Sequence, residues 1–272
     1  MTGTRQELPQ TPVSSFYMKK STLGCGLDIL ERTQFYPAEQ FSSNIYTGYW
    51  MLYIYDLKIP DTLFCRQGTG PWRPVDAHTR MGLYVPPYQL VEWKIAAGQQ
   101  QWTSYYCDAP PPPRLLKRPF LFPIYDHTLP TCYDTLVDLI SNAQAIIPLS
   151  EKAQDQQHPA LLKLISTIQL NYKEQVSIHD LIKDTSVPTS TAHYIFQKNM
   201  NLTPIQYRNK LRMFEALRLI GNNMMSVTEA CYASGFNDYS RFYTHFTDEL
   251  KISPRAFTRF TSYITITQEQ AA

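Results

Sequence analysis

The chain has 272 residues, 43% of them hydrophobic, and its 25 Lys and Arg nearly balance its 23 Asp and Glu, leaving a net charge of +2. This composition predicts a globular protein long enough for two domains and excludes a strongly basic one. Residues 158–272 hold 12 basic and 9 acidic residues, so the small positive excess lies in the C-terminal part. We expect any phosphate affinity there to be modest.

Targeting and redox signals are absent from the sequence. No stretch approaches the roughly 18 apolar residues of a membrane span, and the N-terminus lacks a basic patch followed by an apolar run. The cysteines are odd in number and scattered without metal-ligand spacing, which favours reduced thiols. The sequence therefore predicts a cytoplasmic protein without membrane contact. The cysteines are Cys25, Cys65, Cys107, Cys132 and Cys231.

Residues 1–14 are polar with two prolines and are predicted to form a loose arm. From residue 15 to 130, short aromatic and β-branched runs alternate with Gly, Pro and Asp, which is typical of antiparallel strands. We predict a cupin-like β-barrel or jelly roll. The strand region offers a single histidine, His78, and no nucleophile-base arrangement, so we predict no metal, no cofactor and no catalytic residues.

Aromatic residues in the strand region suggest an apolar pocket for a small-molecule effector, with hydroxyl and indole groups fixing the ligand. Ordinary core packing is the alternative for each of them. The predicted pocket residues are Tyr46, Trp50, Tyr53, Tyr84 and Trp93.

Apolar residues at helical spacing predict an amphipathic helix over residues 131–149. Its stripe consists of Leu136, Ile140, Ala143 and Ile147. The stripe must be buried, either against the chain's own barrel or against the same helix of a second subunit in a homodimer. Residues 150–158 are polar and end before Pro159, so they are predicted to be a linker.

The C-terminal part, residues 159–262 before a tail at 263–272, contains a duplicated pattern. Ser226 and Glu229 fit a capping box, Gly235 supplies a tight turn, and Asn237 can cap the next helix. The Ser-x-x-acid pattern also occurs 49 residues earlier, at 177–180. We therefore predict two helix-turn-helix units. Seven helices are expected, over residues 160–171, 178–185, 189–199, 205–221, 227–234 and 238–250, with a short turn near 254.

The predicted helix over residues 205–221 lies between the two units and would run roughly 25 Å. Two recognition helices held by such a rod would enter successive major grooves about 34 Å apart.

These motifs resemble the DNA-binding domain of the AraC/XylS family of bacterial transcription regulators. The matching residues are Arg212 with Ala216, Gly235 with Phe236, the run 240–246 and the run 253–257. Where the family has glycine, this chain has Ser186, Asn201 and Lys251. The resemblance implies a transcription activator that binds double-stranded promoter DNA and RNA polymerase. It also implies an N-terminal domain that senses a small molecule or mediates dimerisation; the alternative is control by a partner protein.

The resemblance also assigns contacts on the two recognition helices. Base contacts are expected from Ser190, His193, Tyr194, Tyr239, Ser240, Arg241 and Thr244. Phosphate contacts are expected from Lys198, Arg208, Lys210, His245 and Arg255. Arg241 is the sharpest prediction, because a guanidinium can donate two hydrogen bonds to guanine. Arg212 is expected to be structural.

Overall fold

The computed structural model describes most of the chain. The described residues are 16–23, 27–45, 49–55, 62–75, 80–107, 109–113, 115–125, 129–150, 158–183, 185–221, 225–250 and 252–261. The predicted arm at 1–14, the predicted tail at 263–272 and all but two residues of the predicted linker lie outside these ranges, as do Tyr46, His78 and Lys251.

The N-terminal region folds into two antiparallel sheets. Its strands are β1 Phe16–Leu23, β2 Leu27–Tyr36, β3 Gln40–Ile45, β4 Trp50–Tyr55, β5 Leu63–Arg66, β6 Arg73–Pro74, β7 Arg80–Val85, β8 Leu90–Ile95, β9 Gly98–Cys107, β10 Phe120–Ile124 and β11 Ile147–Pro148. The larger sheet has the order β1-β2-β9-β4-β7-β10-β11, and the smaller one β3-β8-β5-β6. The two sheets share one apolar core, as the predicted jelly-roll type of fold requires.

Strand β4 shows how the side chains divide between two cores. All six of its residues are buried. Because successive side chains point to opposite faces of a strand, Met51, Tyr53 and Tyr55 enter the core between the sheets, whereas Trp50 and Leu52 lie on the outer face. That outer face is covered by α1, Tyr133–Ser141.

Helix α1 is shorter than the predicted helix over 131–149. It ends at Ser141; beyond it Ala145 has a φ of +50°, and Ile147 and Pro148 pair with β10. Leu136 and Ile140 are buried against the protein's own barrel, and Ala143 packs on the same cluster. Ile147 is 38% exposed on an extended strand, so it does not belong to a helical stripe. Ala143 and Ile147 therefore have the sequence spacing of a helix although the segment after Ser141 is not helical.

The C-terminal region is helical. Its helices are α2 Pro159–Asn171, α3 Ile178–Lys183, α4 Thr189–Met200, α5 Pro204–Gly221, α6 Val227–Ala233, α7 Tyr239–Leu250 and α8 Pro254–Thr261. Helices α2 to α4 pack around Phe196, and α6 to α8 pack around Phe242 and Phe246. Helix α5 contributes residues to both clusters. The predicted α+β class and its order of a β-rich region followed by a helical region are confirmed.

Candidate nucleic-acid interface and interdomain cavity

The second helix-turn-helix unit consists of α6 and α7. The Ser226 side chain accepts a hydrogen bond from the Glu229 amide at 3.3 Å, and the Glu229 carboxylate accepts one from the Ser226 amide at 2.8 Å, as the capping box predicts. Gly235 has a φ of +95° in the turn. The cap of α7 is Asp238 rather than the predicted Asn237, since the Asp238 carboxylate accepts from the Ser240 and Arg241 amides at 2.7 and 3.1 Å.

The first unit, α3 and α4, has the same turn without glycine. The Ser177 hydroxyl accepts from the Asp180 amide at 3.1 Å and donates to the Asp180 carboxylate at 2.6 Å. Ser186 occupies the turn position equivalent to Gly235, with a φ of +62°. Asn201 ends α4 in the left-handed conformation, at a φ of +54°. Both are residues with short polar side chains, and Asn in particular tolerates this conformation.

Helix α4 buries one face and presents the other to solvent. Ala192 and Phe196 are buried, whereas Tyr194 is 63% exposed. Ser190 and Lys198 are also exposed, and His193 is half-buried. The predicted contact residues of this helix therefore lie on its outer side.

Helix α7 has the same division. Phe242 and Phe246 are fully buried, while the predicted base-contact residues Ser240, Arg241 and Thr244 are exposed. Tyr239 and His245 are also exposed. The Thr244 hydroxyl donates to the Ser240 carbonyl at 3.1 Å, which leaves its methyl group and the two lone pairs of its oxygen for a partner.

Two of the predicted phosphate contacts have structural roles instead. The Arg208 side chain is buried and donates to the Val176 carbonyl at 2.6 Å. The Lys210 ammonium donates to the Ser43 carbonyl at 2.8 Å and to both Glu249 carboxylate oxygens at 2.9 and 3.1 Å. Both lie on the faces of α5 that pack against other elements, which the sequence pattern did not reveal. The remaining predicted phosphate contacts, Lys198, His245 and Arg255, are exposed.

Buried charged side chains tie helix α5 to the loop that follows α2. Arg212 donates to the Tyr172 and Glu174 carbonyls, so the structural role predicted for it fits its contacts. Burial and the neighbouring Arg208 lower the Arg212 pKa to about 10. The buried Glu215 carboxylate accepts from Lys173 at 2.7 Å and from Arg218 at 2.9 and 3.0 Å.

The Glu215 network is electrostatically favourable. Burial opposes ionisation of Glu215, but the hydrogen bonds from Arg218 and Lys173 outweigh it, so the pKa of Glu215 is lowered. Removing one partner from such a network would leave the other partner's charge buried without compensation. The network therefore holds α5 against the loop that follows α2.

The smaller β-sheet contacts both helix-turn-helix units. Asn201, at the end of α4, donates to the Glu92 carboxylate of β8 at 3.0 Å, and Arg66 pairs with the same carboxylate at 3.1 Å. Lys210 links β3 to Glu249 of α7 through the bonds described above. The smaller sheet is therefore linked to the C-terminal ends of both α4 and α7, through Glu92 in the first case and through Ser43 and Lys210 in the second.

A cavity of about 280 Å³ lies where the barrel meets α5 and α7. Tyr53 and Trp93 of the predicted effector pocket line it, with ring centroids 5.6 Å apart. Trp50 and Tyr84 lie on the opposite face of their strands and pack together near α1, because side chains alternate along a strand. The predicted pocket is thus split between two clusters.

The cavity also contains residues that the sequence prediction omitted. They include the strand residues Gln34 and Gln100, which lie directly opposite each other in the β2-β9 pairing, and Lys210 with Glu249 from the helical region. Strand alternation could have placed the two glutamines inside the barrel. No local pattern links residues as distant in sequence as Lys210 and Ser43.

Comparison with known proteins identifies the helical region. A family model described as a helix-turn-helix domain matches residues 181–259. The chain carries an AraC-family helix-turn-helix domain. The matched residues begin within α3 and end within α8, so the AraC-family domain spans both helix-turn-helix units.

Relatives of the AraC-family domain are transcriptional regulators. The chain is 33% identical over 104 residues to the HTH-type transcriptional activator RhaS of Yersinia pestis (strain Pestoides F), covering 38% of each chain. It is 25% identical over 184 residues to the uncharacterized HTH-type transcriptional regulator YdeC of Bacillus subtilis (strain 168), covering 66% of this chain and 62% of YdeC. The chain thus spans little more than a third of the RhaS relative.

The whole fold is similar to that of ToxT from Vibrio cholerae O395. A ToxT crystal structure matches 88% of this chain and 99% of ToxT with a TM-score of 0.55 at 9% identity. A second, bound to (E)-4-(8-methylnaphthalen-1-yl)but-3-enoic acid, matches 87% and 99% with a TM-score of 0.53 at 10% identity. The likeness extends beyond the AraC-family domain to the barrel, and at this identity it concerns the fold.

The described ranges contain neither a candidate membrane-spanning helix nor a candidate metal-binding cluster. No helix within them is long and apolar enough to cross a bilayer. Within the same residues, no cluster of three or more His, Cys, Asp and Glu side chains has the arrangement of a metal site.

Proposed function

We propose that the protein is a sequence-specific, DNA-binding transcription activator of the cytoplasm, without catalytic activity, that a small molecule controls through the N-terminal domain. The observation that supports it most strongly is the pair of helix-turn-helix units joined by α5. Its 18 residues span about 27 Å. A helix of this length can hold the recognition helices α4 and α7 far enough apart to enter successive major grooves.

In this proposal, α4 and α7 read bases with the exposed polar side chains described above. Arg241 donates two hydrogen bonds to a guanine, and His193 and Tyr194 contact bases from α4. Lys198, His245 and Arg255 contact phosphates, which position the protein without reading sequence. Arg208 and Lys210 no longer belong to this set, because their side chains are used within the protein.

Control by a small molecule is supported by the cavity between the barrel and the AraC-family domain. Its walls contain residues of β3 and of the C-terminal end of α7. A ligand there would touch both domains, and a ligand changes an equilibrium only through contacts that differ between its states. The ToxT complex shows a protein of this fold with a small organic acid bound. Promoter DNA and RNA polymerase are the proposed macromolecular partners.

Control by a partner protein is the second candidate. Control by a partner protein is favoured by Phe41 on β3, which is 66% exposed. The centroids of the Phe41 and Trp72 rings are 6.0 Å apart. Copurification of a protein whose binding is lost in Phe41→Ser would support it. A homodimer is a further proposal, and sedimentation analysis of the purified chain would test it.

Selection from a random DNA library tests the proposed function. We expect enrichment of a site with two blocks of defined bases about 10 base pairs apart. At that site Arg241→Lys keeps the charge but loses bidentate geometry, so we expect discrimination at one base pair to fall by about 1 to 3 kcal/mol.

Lys163→Ala is the matched control, because Lys163 is an exposed cation on α2. We expect this variant to retain both affinity and sequence preference. Enrichment of no sequence by the unmodified protein would contradict the proposal.

A further inference from the structure

The first helix-turn-helix unit shares its apolar core with the barrel. Ile45 of β3 and Leu90 of β8 are buried in the same cluster as Phe196, the core residue of α4. By contrast, the cluster around Phe242 and Phe246 contains, among the described residues, only side chains of the helical region. Because a close-packed core transmits displacements between the elements that share it, we expect α4 to follow the barrel more closely than α7 does.

A buried hydroxyl group adds to this shared core. The Tyr207 side chain is fully buried, and its ring centroid lies 5.4 Å from that of Phe196. Its hydroxyl donates to the Tyr88 carbonyl, in the turn between β7 and β8, at 3.2 Å. Tyr88 has a φ of +60°, which a residue with a side chain keeps only where its surroundings fix the backbone. This turn of the barrel is therefore held in one shape against α5, beside α4.

The loop between β5 and β6 touches the last turn of α4. Gly68 in this loop has a φ of +55°, and a Cβ atom there would lie 2.4 Å from the Asn199 carbonyl oxygen. Glycine allows two backbones to approach this closely, whereas a side chain would force them apart. Position 68 therefore sets the distance between the barrel and the end of α4.

A hydrogen bond fixes the residue that ends α4. Asn201, in the left-handed conformation, donates its side-chain amide to the Glu92 carboxylate of β8 at 3.0 Å. The same carboxylate accepts two hydrogen bonds from Arg66, at 3.1 and 3.3 Å. The Arg66 guanidinium in turn lies 4.3 Å from the centroid of the Trp72 ring. Glu92 is thus held in place by its own sheet and presents a fixed acceptor to α4.

These contacts leave the reading surface of α4 uncovered. They lie at its C-terminal end, whereas the N-terminal residues of a recognition helix are those that contact base edges. Ser190 and Tyr194, two of the proposed base contacts, are exposed. The barrel therefore restrains the direction of α4 without covering the side chains that would meet DNA.

We propose that the barrel positions the first recognition helix for DNA reading, with Gly68 and Glu92 as the positioning residues, whereas the second recognition helix reads DNA without this support. The proposal rests on the proposed function, because it concerns how α4 meets DNA. Its consequence is that the two blocks of bases in the DNA site depend unequally on the barrel.

An exchange of hydrogen-bonding groups tests the Glu92 contact in the full chain. Asn201→Asp keeps the side-chain shape but sets a carboxylate against Glu92. We expect it to weaken binding to the selected DNA site about three- to tenfold. Binding to a site whose α4 block is scrambled should not change, where the α4 block is the one that His193→Ala weakens. Adding Glu92→Gln restores a donor and acceptor pair with the original net charge, so the double variant should recover its affinity. A charge at 201 that merely repelled phosphates would persist in the double variant and would not be rescued.

Gly68→Ala tests the close backbone contact independently. Gly98→Ala is the matched control, because Gly98 has a φ of +122° but a Cβ atom there would meet nothing within 4 Å. Both variants strain the backbone of the barrel, and one of them also pushes against α4. We expect Gly68→Ala alone to weaken DNA binding, again through the α4 block. An equal loss in both variants would assign the effect to backbone strain and overturn the role of Gly68.

Three results for Asn201→Asp would overturn the proposal: unchanged affinity, a loss that Glu92→Gln does not rescue, or a loss that persists when the α4 block is scrambled. If circular dichroism shows that Gly68→Ala is misfolded, the exchange between 201 and 92 decides. An unmodified chain that selects no DNA contradicts the proposed function, and hydrogen-deuterium exchange then tests the docking itself. Faster exchange in the last turn of α4 in Asn201→Asp, reversed in the double variant, supports it; unchanged exchange overturns it.

Discussion

Gly235 is a position of the AraC-family domain where a side chain meets both backbone strain and close contacts. Its φ is +95°, and a Cβ atom there would lie 2.6 Å from the carbonyl oxygen and 2.7 Å from the Cα of Lys173. Both are backbone atoms, so no side-chain rotation relieves the contact. The Gln175 side chain also donates to the Gly235 carbonyl at 3.0 Å, which fixes the turn against the loop after α2.

The cost of Gly235→Ala follows from these contacts. The left-handed backbone costs about 1 to 2 kcal/mol for a residue with a Cβ, and overpacking costs about 1 to 3 kcal/mol. Alanine also lowers the conformational entropy of the unfolded chain, which offsets about 0.4 to 1 kcal/mol of this destabilisation. We therefore expect the free energy of unfolding to fall by roughly 2 to 4 kcal/mol, measured by urea denaturation with circular dichroism.

Ser186→Gly is the matched control, because Ser186 occupies the equivalent turn of the first unit at a φ of +62°. Glycine relieves the strained backbone but increases the entropy of the unfolded chain, so we expect a change within about 1 kcal/mol. A Gly235→Ala protein as stable as the unmodified one would refute this account of the turn.

Two further predictions concern charged side chains of α5. Glu215→Gln should lower the free energy of unfolding at pH 7 by about 2 to 3 kcal/mol, since Arg218 loses its carboxylate partner. Because the Glu215 pKa is lowered in the folded state, its contribution is present above the ordinary carboxyl pKa and is lost as pH falls through the folded value. The difference between the two proteins in urea denaturation should therefore narrow from pH 6 to pH 3, and a constant difference would contradict it. Lys210→Met should speed hydrogen-deuterium exchange in β3, because the link from Ser43 to Glu249 is lost; unchanged exchange would show that the link is not stabilising.

Local signals in the sequence predicted the local features of the fold. The Ser226 capping box and the turn glycine depend on residues within one turn of each other, and the structure contains both. The departures at Ser186 and Asn201 were also interpretable, since both adopt positive φ as a replaced glycine would. Helix bounds agree to within one or two residues for most helices of the AraC-family domain.

Features that depend on distant residues were not predicted. The apolar spacing of 131–149 continues past Ser141, but pairing with β10 draws Ile147 into a strand. Arg208 and Lys210 have the composition of phosphate contacts, yet their partners, Val176 and Ser43, belong to other elements. The sequence shows charge but does not show which face of α5 is covered.

The pocket prediction failed in part for a simpler reason. Trp50 and Tyr53 lie three residues apart on β4, and alternation places them on opposite faces of the sheet. Selecting aromatic residues by type grouped both faces together. Separating the odd-numbered from the even-numbered residues of β4 would have distinguished its two faces.

Hydroxyl-radical footprinting on the selected site shows whether α4 and α7 both contact DNA. We expect two protected segments on one face of the duplex, about 10 base pairs apart. His193→Ala should weaken one segment and Arg241→Ala the other. A single continuous protection, or two variants that weaken the same segment, would contradict the proposal that both helices read DNA.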